Sequence, residues 1–310
     1  MNHFIPMETV WVGHSTHPQE ATGCTVIVFP HGGVAGVDVR GAAPGTRETD
    51  LLRPMFMIRQ IHAIVLTGGS AFGLRTADGV MQYLAEKGIG YPAREFRIPI
   101  VPAAVIFDLQ GDRSIKYPSV EMGYQAAQAA ASQFTEGLVG VGRGATVGKI
   151  LGMNYAMKGG FGAWQIRLPG EVVVGAMVVV NALGDVVNPQ SGRIIAGARD
   201  PSGKGFLDTL TYMHSHTFPQ PFAGGNTTLA VVVTNAQFDK ELINKIAQMG
   251  QNGIARTLRP AHTMFDGDVV FAVSVGKKKA DVNVVGSAAA QAVENAIVRA
   301  VQLGNSLIEK

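Results

Sequence analysis

The chain has 310 residues, of which 46% are hydrophobic and 16% are charged. Such a chain can bury a large core, so its composition excludes disorder and its length is compatible with one large domain or two ordinary ones. The formal net charge is +3, from 26 basic and 23 acidic residues spread along the sequence. This balance is too weak to indicate a nucleic-acid partner.

The cysteine count and the N-terminus indicate a cytoplasmic protein. Cys24 is the only cysteine, which excludes an internal disulfide framework and fits a reducing compartment. Met1–Pro6 does not provide the basic segment and apolar run of a secretory signal. The most apolar stretch, Val172–Val180, is about half the length of a membrane-spanning helix. We therefore expect no membrane partner.

Predicted strands and helices are interleaved along the whole chain. The predicted elements, in chain order, are strands at Cys24–Phe29 and Ala63–Leu66, a helix at Ser70–Lys87, a strand at Ile98–Phe107, a helix at Ser119–Phe134, strands at Val172–Asn181 and Leu229–Asn235, a helix at Lys240–Gln248, a strand at Val269–Val275 and a helix at Val285–Leu303. Most of the strands are near-continuous apolar runs, so we expect sheets covered on both faces by helices.

Two glycine-rich motifs resemble known functional loops but have the wrong spacing. Gly142–Lys149 has five residues between its outer glycines where a phosphate loop needs four, and Ile150 replaces the required Ser or Thr. Gly68–Gly73 resembles the nucleophile elbow of an α/β-hydrolase, but Phe72 occupies the position that requires glycine. We therefore expect no nucleotide cofactor, and we interpret Ser70 as a helix N-cap.

Histidines give little support for a metal site. His14 and His17, and likewise His214 and His216, lie in polar sequence without an evident third ligand. We interpret them as surface histidines.

A threonine at a junction between a polar loop and a buried strand has suitable chemistry for self-cleavage. Gly225-Asn226-Thr227-Thr228 ends the polar segment Asp200–Gly225 and precedes the apolar run Leu229–Val233. Thr227 could attack the carbonyl before it, and the α-amine released by cleavage could act as a base near neutral pH. Taken alone, however, Asn-Thr-Thr before a strand is more often an ordinary turn.

Several motifs in one order extend over residues 9–303. They are Arg40–Asp50, Leu66–Leu74, Ala77–Val80, Ile100–Asp108, Gly144–Lys149, Val178–Ala182 and Asn226–Leu229. With these motifs the chain closely resembles the DmpA-type aminopeptidase and nylon-hydrolase family. The threonine at 227, preceded by asparagine, is similar to the nylon-hydrolase-like branch, since the β-aminopeptidase branch carries serine there.

This resemblance implies an α/β fold of four layers, αββα, formed by a single domain over residues 1–310. It implies self-cleavage at Asn226–Thr227 into a large chain, 1–226, and a small chain, 227–310, without cofactor or metal. By position, Thr227 corresponds to the nucleophile and Lys149 to the lysine beside it. Asn181 corresponds to the oxyanion-binding asparagine, and Asp266 and Asp268 to the pair that orients the new amine.

Each transferred residue also has a structural alternative. Asn181 could be a hydrogen-bonded asparagine at a strand end, Lys149 an exposed loop lysine, and Asp266 and Asp268 an acidic turn. Phe107 departs from the family, because the β-aminopeptidase branch has a tyrosine there. This difference weakens the case for strict aminopeptidase activity.

The sequence therefore predicts a self-processing hydrolase of small peptides, amides, esters or nylon-like amide oligomers. Resemblance also implies a homotetramer of processed protomers. Two alternatives stay open: an acetyl-transferring enzyme similar to ornithine acetyltransferase, and a binding scaffold that is never cleaved.

Overall fold

The computed structural model describes residues 9–111, 116–216 and 225–306. Its strands are β1 (Trp11–Thr16), β2 (Gly23–Val39), β3 (Thr46–Arg47), β4 (Gln60–Thr67), β5 (Tyr91–Ala93), β6 (Phe96–Ile98), β7 (Ala103–Val105), β8 (Thr146–Val147), β9 (Met157–Lys158), β10 (Gly160–Leu168), β11 (Val172–Asn181), β12 (Asp185–Val187), β13 (Ile194–Ala196), β14 (Thr227–Ala236), β15 (Leu258–Arg259) and β16 (Val269–Lys278). Its helices are α1 (Thr76–Glu86), α2 (Val120–Gln128), α3 (Thr209–Ser215), α4 (Lys240–Thr257) and α5 (Val282–Ser306).

Four layers are defined by three hydrophobic cores. One core packs α4 and α5 against β11, β14 and β16. A second lies between these strands and β2, β4 and β7. The third packs α1 and α2 against the other face of β2 and β4. The predicted αββα arrangement is therefore confirmed, and the near-continuous apolar strands are explained by burial on both faces.

The two β-layers belong to one continuous sheet. Its strand order is β10-β11-β14-β16-β2-β4-β7-β3, and β1 also pairs with β2. The first part of β2 pairs with β4 and the second part with β16, with an irregularity between Val28 and Gly33. One long strand thus passes from one layer into the other.

Several boundaries differ from the sequence-based expectation. Ser70 is not a helix N-cap: it begins a 3-10 turn, Ser70–Arg75, with a positive φ of 52°, and α1 starts only at Thr76. The predicted strand Ile98–Phe107 is interrupted, because β6 ends at Ile98 and β7 is only three residues long. The prediction missed β1 and β10, which the apolar runs of the sequence do not mark.

The end of one predicted helix and the predicted exposure of His14 also differ from the structure. The predicted helix Ser119–Phe134 ends at Gln128, although Ser119 does cap it by accepting a hydrogen bond from the Met122 backbone. His14 is not a surface residue. It lies half-buried on β1, where its ring contacts the Thr25 hydroxyl and the Thr135 carbonyl, and burial lowers its pKa to about 4.

None of the described helices combines the length and apolar content needed to cross a membrane. Across residues 9–111, 116–216 and 225–306, no group of three or more His, Cys, Asp or Glu side chains is arranged to hold a metal ion.

Candidate active site

Thr227 is the first residue of β14 and is almost completely buried, with 5% of its surface exposed. In the antiparallel pairing of β11 with β14 it lies directly opposite Asn181, the last residue of β11. Its hydroxyl Oγ1 donates a hydrogen bond of 2.5 Å to the carbonyl oxygen of Asn226. The hydroxyl is therefore held against the peptide bond that precedes it.

The Asn226 carbonyl has a second donor, the backbone N–H of Gly267, at 2.9 Å. A Cβ at position 267 would lie 2.7 Å from the Ala43 carbonyl oxygen and 2.8 Å from Thr227 Oγ1. Both distances are too short for a side chain to be accommodated without movement. A glycine at 267 therefore lets a backbone donor approach this carbonyl and the threonine hydroxyl together.

Lys149 is buried beside β11, and its ammonium is bound only by neutral oxygens. Nζ donates to the Asn181 carbonyl at 3.0 Å, to Asn181 Oδ1 at 2.9 Å and to the Gly225 carbonyl at 2.9 Å. Burial lowers the pKa of Lys149 from 10.5 to about 7, although the carboxylates of Asp266 and Asp108 favour its charged form. The buried lysine therefore gives up its proton more readily than an exposed lysine does.

The Asn181 side chain is fully buried, and both ends of its amide have partners. Oδ1 accepts hydrogen bonds from Lys149 Nζ and from the Thr146 backbone N–H. Nδ2 donates to the Gly225 carbonyl at 2.9 Å and to the Phe107 carbonyl at 3.1 Å. In the uncut chain the amide donors of Asn181 thus bind the carbonyl of Gly225 and not that of Asn226.

Asp266 and Asp268 lie just before β16, both 2% exposed. Asp268 Oδ1 accepts a 2.6 Å hydrogen bond from the Thr228 backbone N–H, and its Oδ2 is bound by the backbone N–H and ring Nδ1 of His262. Asp266 accepts hydrogen bonds from the Thr263 backbone and hydroxyl. Burial, followed by repulsion from Asp268, raises the pKa of Asp266. Two carboxylates therefore flank the start of β14.

Two clefts meet at the segment Gly225–Asn226. The first has a largely apolar wall, to which Phe107, Met153 and Leu183 contribute, and it is also lined by Lys149. The second, of about 780 Å³, contains Thr227 and Ser70. Phe107 lines both clefts, so removal of the segment would join them.

The rejected elbow motif has a structural role at the rim of the first cleft. The Gly69 N–H donates a 2.7 Å hydrogen bond to Asp108 Oδ1. Burial raises the pKa of Asp108 to about 6. This turn therefore positions a buried carboxyl group.

The structure brings the predicted residues into one cluster at the N-terminal end of β14. Lys149 contacts Asn181, Asn181 is the register partner of Thr227, and Asp266 forms a parallel bridge with Asn226. Sequence reasoning missed Gly267 and His262. In the sequence, both residues are marked only by their closeness to Asp266 and Asp268. That closeness does not reveal that the Gly267 N–H binds the Asn226 carbonyl or that His262 binds Asp268.

Comparisons with known proteins identify the family of the chain. The profile of peptidase family S58 matches residues 2–308. An uncharacterized aminopeptidase of Mycobacterium leprae is 40% identical, over 90% of this chain and 80% of its own length. A 6-aminohexanoate-oligomer endohydrolase of Kocuria sp. is 31% identical, over 86% of this chain and 72% of its own.

Solved structures show the same fold. A Burkholderia sp. beta-aminopeptidase superimposes with a TM-score of 0.69 at 22% identity, covering 96% of this chain and 86% of that one. The L-aminopeptidase D-Ala-esterase/amidase of Ochrobactrum anthropi, described as a variant of the Ntn hydrolase fold, gives 0.64 at 18% identity, with the same coverage. The family match and the sequence relatives together show that the chain belongs to peptidase family S58 and is a hydrolase of amide bonds.

Proposed function

We propose that this hydrolase matures by cleaving its own Asn226–Thr227 bond and then uses Thr227 as an N-terminal nucleophile. The observation that carries the proposal is the contact of Thr227 Oγ1 with the Asn226 carbonyl oxygen, which also accepts the Gly267 N–H. A nucleophile and a donor for developing negative charge thus meet at one peptide bond.

Self-cleavage proceeds in two steps. Thr227 Oγ1 attacks the Asn226 carbonyl carbon, the Asn226–Thr227 C–N bond breaks, and the hydroxyl proton passes to the Thr227 nitrogen. An ester between Asn226 and the Thr227 side chain results. Water then cleaves this ester, which yields a carboxylate at Asn226 and restores the Thr227 hydroxyl beside a free α-amine. The Gly267 N–H stabilises the oxyanion in both steps, since it already binds that oxygen.

After cleavage, Thr227 supplies both nucleophile and base. The ordinary pKa of an α-amine is about 7.7–8.0, so this group can take the hydroxyl proton near neutral pH. Asp268 binds the neighbouring Thr228 N–H, and Asp266 bridges to Asn226, which supports a role for the pair in orienting the new amine. Lys149, with its pKa of about 7, supports proton transfer at the same place.

In the uncut chain, the Gly225 carbonyl occupies the site that we assign to a substrate carbonyl. Lys149 Nζ and Asn181 Nδ2 both donate to it at 2.9 Å. When the cut segment leaves, these two donors become available to the oxygen of a bound amide. Asn181 then stabilises the oxyanion of the substrate as Thr227 attacks, Lys149 takes part in proton transfer, and the acyl-threonine ester is hydrolysed by water.

The substrate class that we propose is small peptides, amides or esters, and amide oligomers of the nylon type. The aminopeptidase and endohydrolase names of the relatives support it, and they favour hydrolysis over acetyl transfer. Phe107 lies between the two clefts without a hydroxyl to assist acylation. This absence supports a broader amidase activity over strict removal of N-terminal residues.

Intact mass measurement after denaturing electrophoresis tests the proposal. The processed protein should separate into residues 1–226 and 227–310, and only this form should hydrolyse amides. A protein that remains uncut and yet hydrolyses amides would refute the role of the Thr227 amine.

Two further proposals concern assembly and location. A homotetramer of processed protomers follows from the family resemblance, and sedimentation at several concentrations would test it. A cytoplasmic location is supported by the single, buried and unpaired Cys24. Fractionation of the source cells would test that location.

A further inference from the structure

A groove of about 1090 Å³ continues outward from the first cleft. The two spaces share Gln110, Thr146 and Met153, so they are connected along one wall. The outer part contains Lys158, Arg199 and Asn305, and we call it the cationic groove. A substrate in the first cleft could therefore reach charged groups well beyond the reacting carbonyl.

Arg199 is held in place in this groove by carbonyl oxygens, and no carboxylate of the described residues forms an ion pair with it. Its Nη2 donates to the carbonyls of Asn154 and Ala156, both at 3.2 Å, and its backbone N–H donates to the Tyr155 carbonyl at 2.9 Å. Carbonyl oxygens fix the orientation of a guanidinium but leave its full charge in place. The Nε and Nη1 donors of Arg199 make no hydrogen bond within the part of the chain that the structure describes, so they can serve a ligand.

Lys158 adds a second positive charge to the same groove. Its ammonium makes no hydrogen bond or ion pair with any residue in the described ranges, and its backbone carbonyl is bound by Asn305 Nδ2 at 2.9 Å. Among the described residues that line the groove there is no carboxylate. Counting the described residues alone, the groove therefore presents two cations without a carboxylate partner beside a largely apolar cleft.

We propose that the cationic groove binds a carboxylate at the distal end of the substrate's acyl chain. This inference rests on the proposed function and specifies its substrate: an amide whose acyl part is an apolar chain ending in a carboxylate. Gly225 and Asn226, the acyl side of the self-cleaved bond, line both clefts, but Lys149, which binds the Gly225 carbonyl, lines only the first. An acyl chain that replaces them runs along the apolar wall toward Arg199.

Three para-nitroanilides of one chain length test this assignment: those of adipic, hexanoic and aminohexanoic acid, which end in a carboxylate, a methyl group and an ammonium. We expect kcat/KM for the adipic compound to exceed that for the hexanoic compound by about tenfold, because one charge-assisted hydrogen-bond pair has this effect. Arg199→Gln should remove the preference, and Arg199→Glu should shift it toward the ammonium compound. Arg97→Gln, on the exposed strand β6, is the matched control and should keep the wild-type ratio.

A separate arm distinguishes the two sides of the scissile bond. The hexanoyl amide of para-aminobenzoate carries its carboxylate on the leaving group, and Arg199→Gln should not change its relative kcat/KM. A loss confined to this compound would overturn the acyl-side assignment. Equal rates for adipic and hexanoic anilides in wild type and Arg199→Gln would overturn the groove while leaving the amidase intact.

Calorimetric titration with adipate tests carboxylate binding by the cationic groove without the need for turnover. Adipate has no amide bond, so binding to the wild-type protein and loss of binding in Arg199→Gln would support the groove even if no anilide is hydrolysed. Equal binding by both proteins, or by neither, would contradict it. Absence of hydrolysis for every anilide would instead count against the proposed function.

Discussion

Asn181 and Thr227 face each other as a register pair, yet the Asn181 amide donates to the Gly225 carbonyl and not to the Asn226 carbonyl that the Thr227 hydroxyl contacts. The Asn226 carbonyl is served instead by the Gly267 N–H. Two sets of donors therefore lie on either side of one nucleophile. We assign the Gly267 donor to self-cleavage and the Asn181 and Lys149 donors to substrate hydrolysis.

Asn181→Ala should separate the two reactions. Loss of one oxyanion donor costs about 10²–10³ in rate, so we expect kcat for amide hydrolysis to fall by that factor. Self-cleavage should slow much less, because its carbonyl is bound by Gly267. Parallel measurement of fragment formation and amide turnover checks this, and an equal loss in both would contradict the assignment.

Gly267→Ala should show the opposite pattern during maturation. The added methyl group would meet the Ala43 carbonyl and the Thr227 hydroxyl, and it would displace the Gly267 N–H from the Asn226 carbonyl. We expect uncut chain to accumulate, with self-cleavage at least tenfold slower by time-resolved electrophoresis. Unfolding temperature should be recorded alongside. Wild-type cleavage kinetics in this variant would exclude the Gly267 donor.

Lys149 should make amide hydrolysis pH-dependent. Its neutral form is the one that accepts a proton, and burial places its pKa at about 7, so kcat should rise with pH through that region. Lys149→Gln should lower kcat by about 10² or more and move the rising limb of the profile toward about 7.7–8.0, the ordinary pKa of the Thr227 α-amine. Lys245→Gln, an exposed lysine on α4, is the matched control. A wild-type pH profile in Lys149→Gln would contradict the role.

The same pKa shift has a consequence for stability. Between about pH 7 and 10.5 the unfolded chain binds a proton at Lys149 that the folded chain has lost, so the free energy of unfolding should rise with pH across that window. Lys149→Met should reduce this slope in denaturant titrations at several pH values. An unchanged slope would show that Lys149 keeps its proton in the folded protein.

His262 should act by positioning Asp268. It binds one Asp268 oxygen through both its backbone and its ring, and its φ of 58° lies in the left-handed region that asparagine tolerates well. His262→Asn should therefore retain most of the activity, while His262→Ala should lower kcat about tenfold with little change in KM. Steady-state kinetics on both variants test this, and equal losses would indicate a purely structural role.

The sequence predicted those strands that are long apolar runs and those site residues that lie in the family motifs. Long apolar runs identified β11, β14 and β16, and the motif resemblance selected Thr227, Lys149, Asn181, Asp266 and Asp268, which the structure places together. The strands β1 and β10 were missed because they mix apolar with polar or glycine residues, and their burial depends on distant partners. For β10 that partner is α5, which approaches so closely that a Cβ on Gly162 would meet the Ala296 carbonyl.

The finer geometry of the site could not be read from the sequence. The carbonyl to which Asn181 donates is determined by the register of β11 with β14. It also depends on the backbone path at Gly225, where a φ of 142° turns the chain beneath the Phe107 ring. The donation from Gly267 depends on a bridge between segments forty residues apart in sequence. Residues 217–224, within the segment predicted to be an exposed loop, lie outside the described residues.

Intact mass of wild-type protein beside Thr227→Ala and Ser70→Ala tests the central claim most directly. We predict that wild type and Ser70→Ala each yield a small chain that begins at Thr227, whereas Thr227→Ala remains a single, inactive chain of 310 residues. A Thr227→Ala protein that is still cut at the same bond, or a wild-type fragment that begins at another residue, would contradict the assignment of Thr227 as the nucleophile.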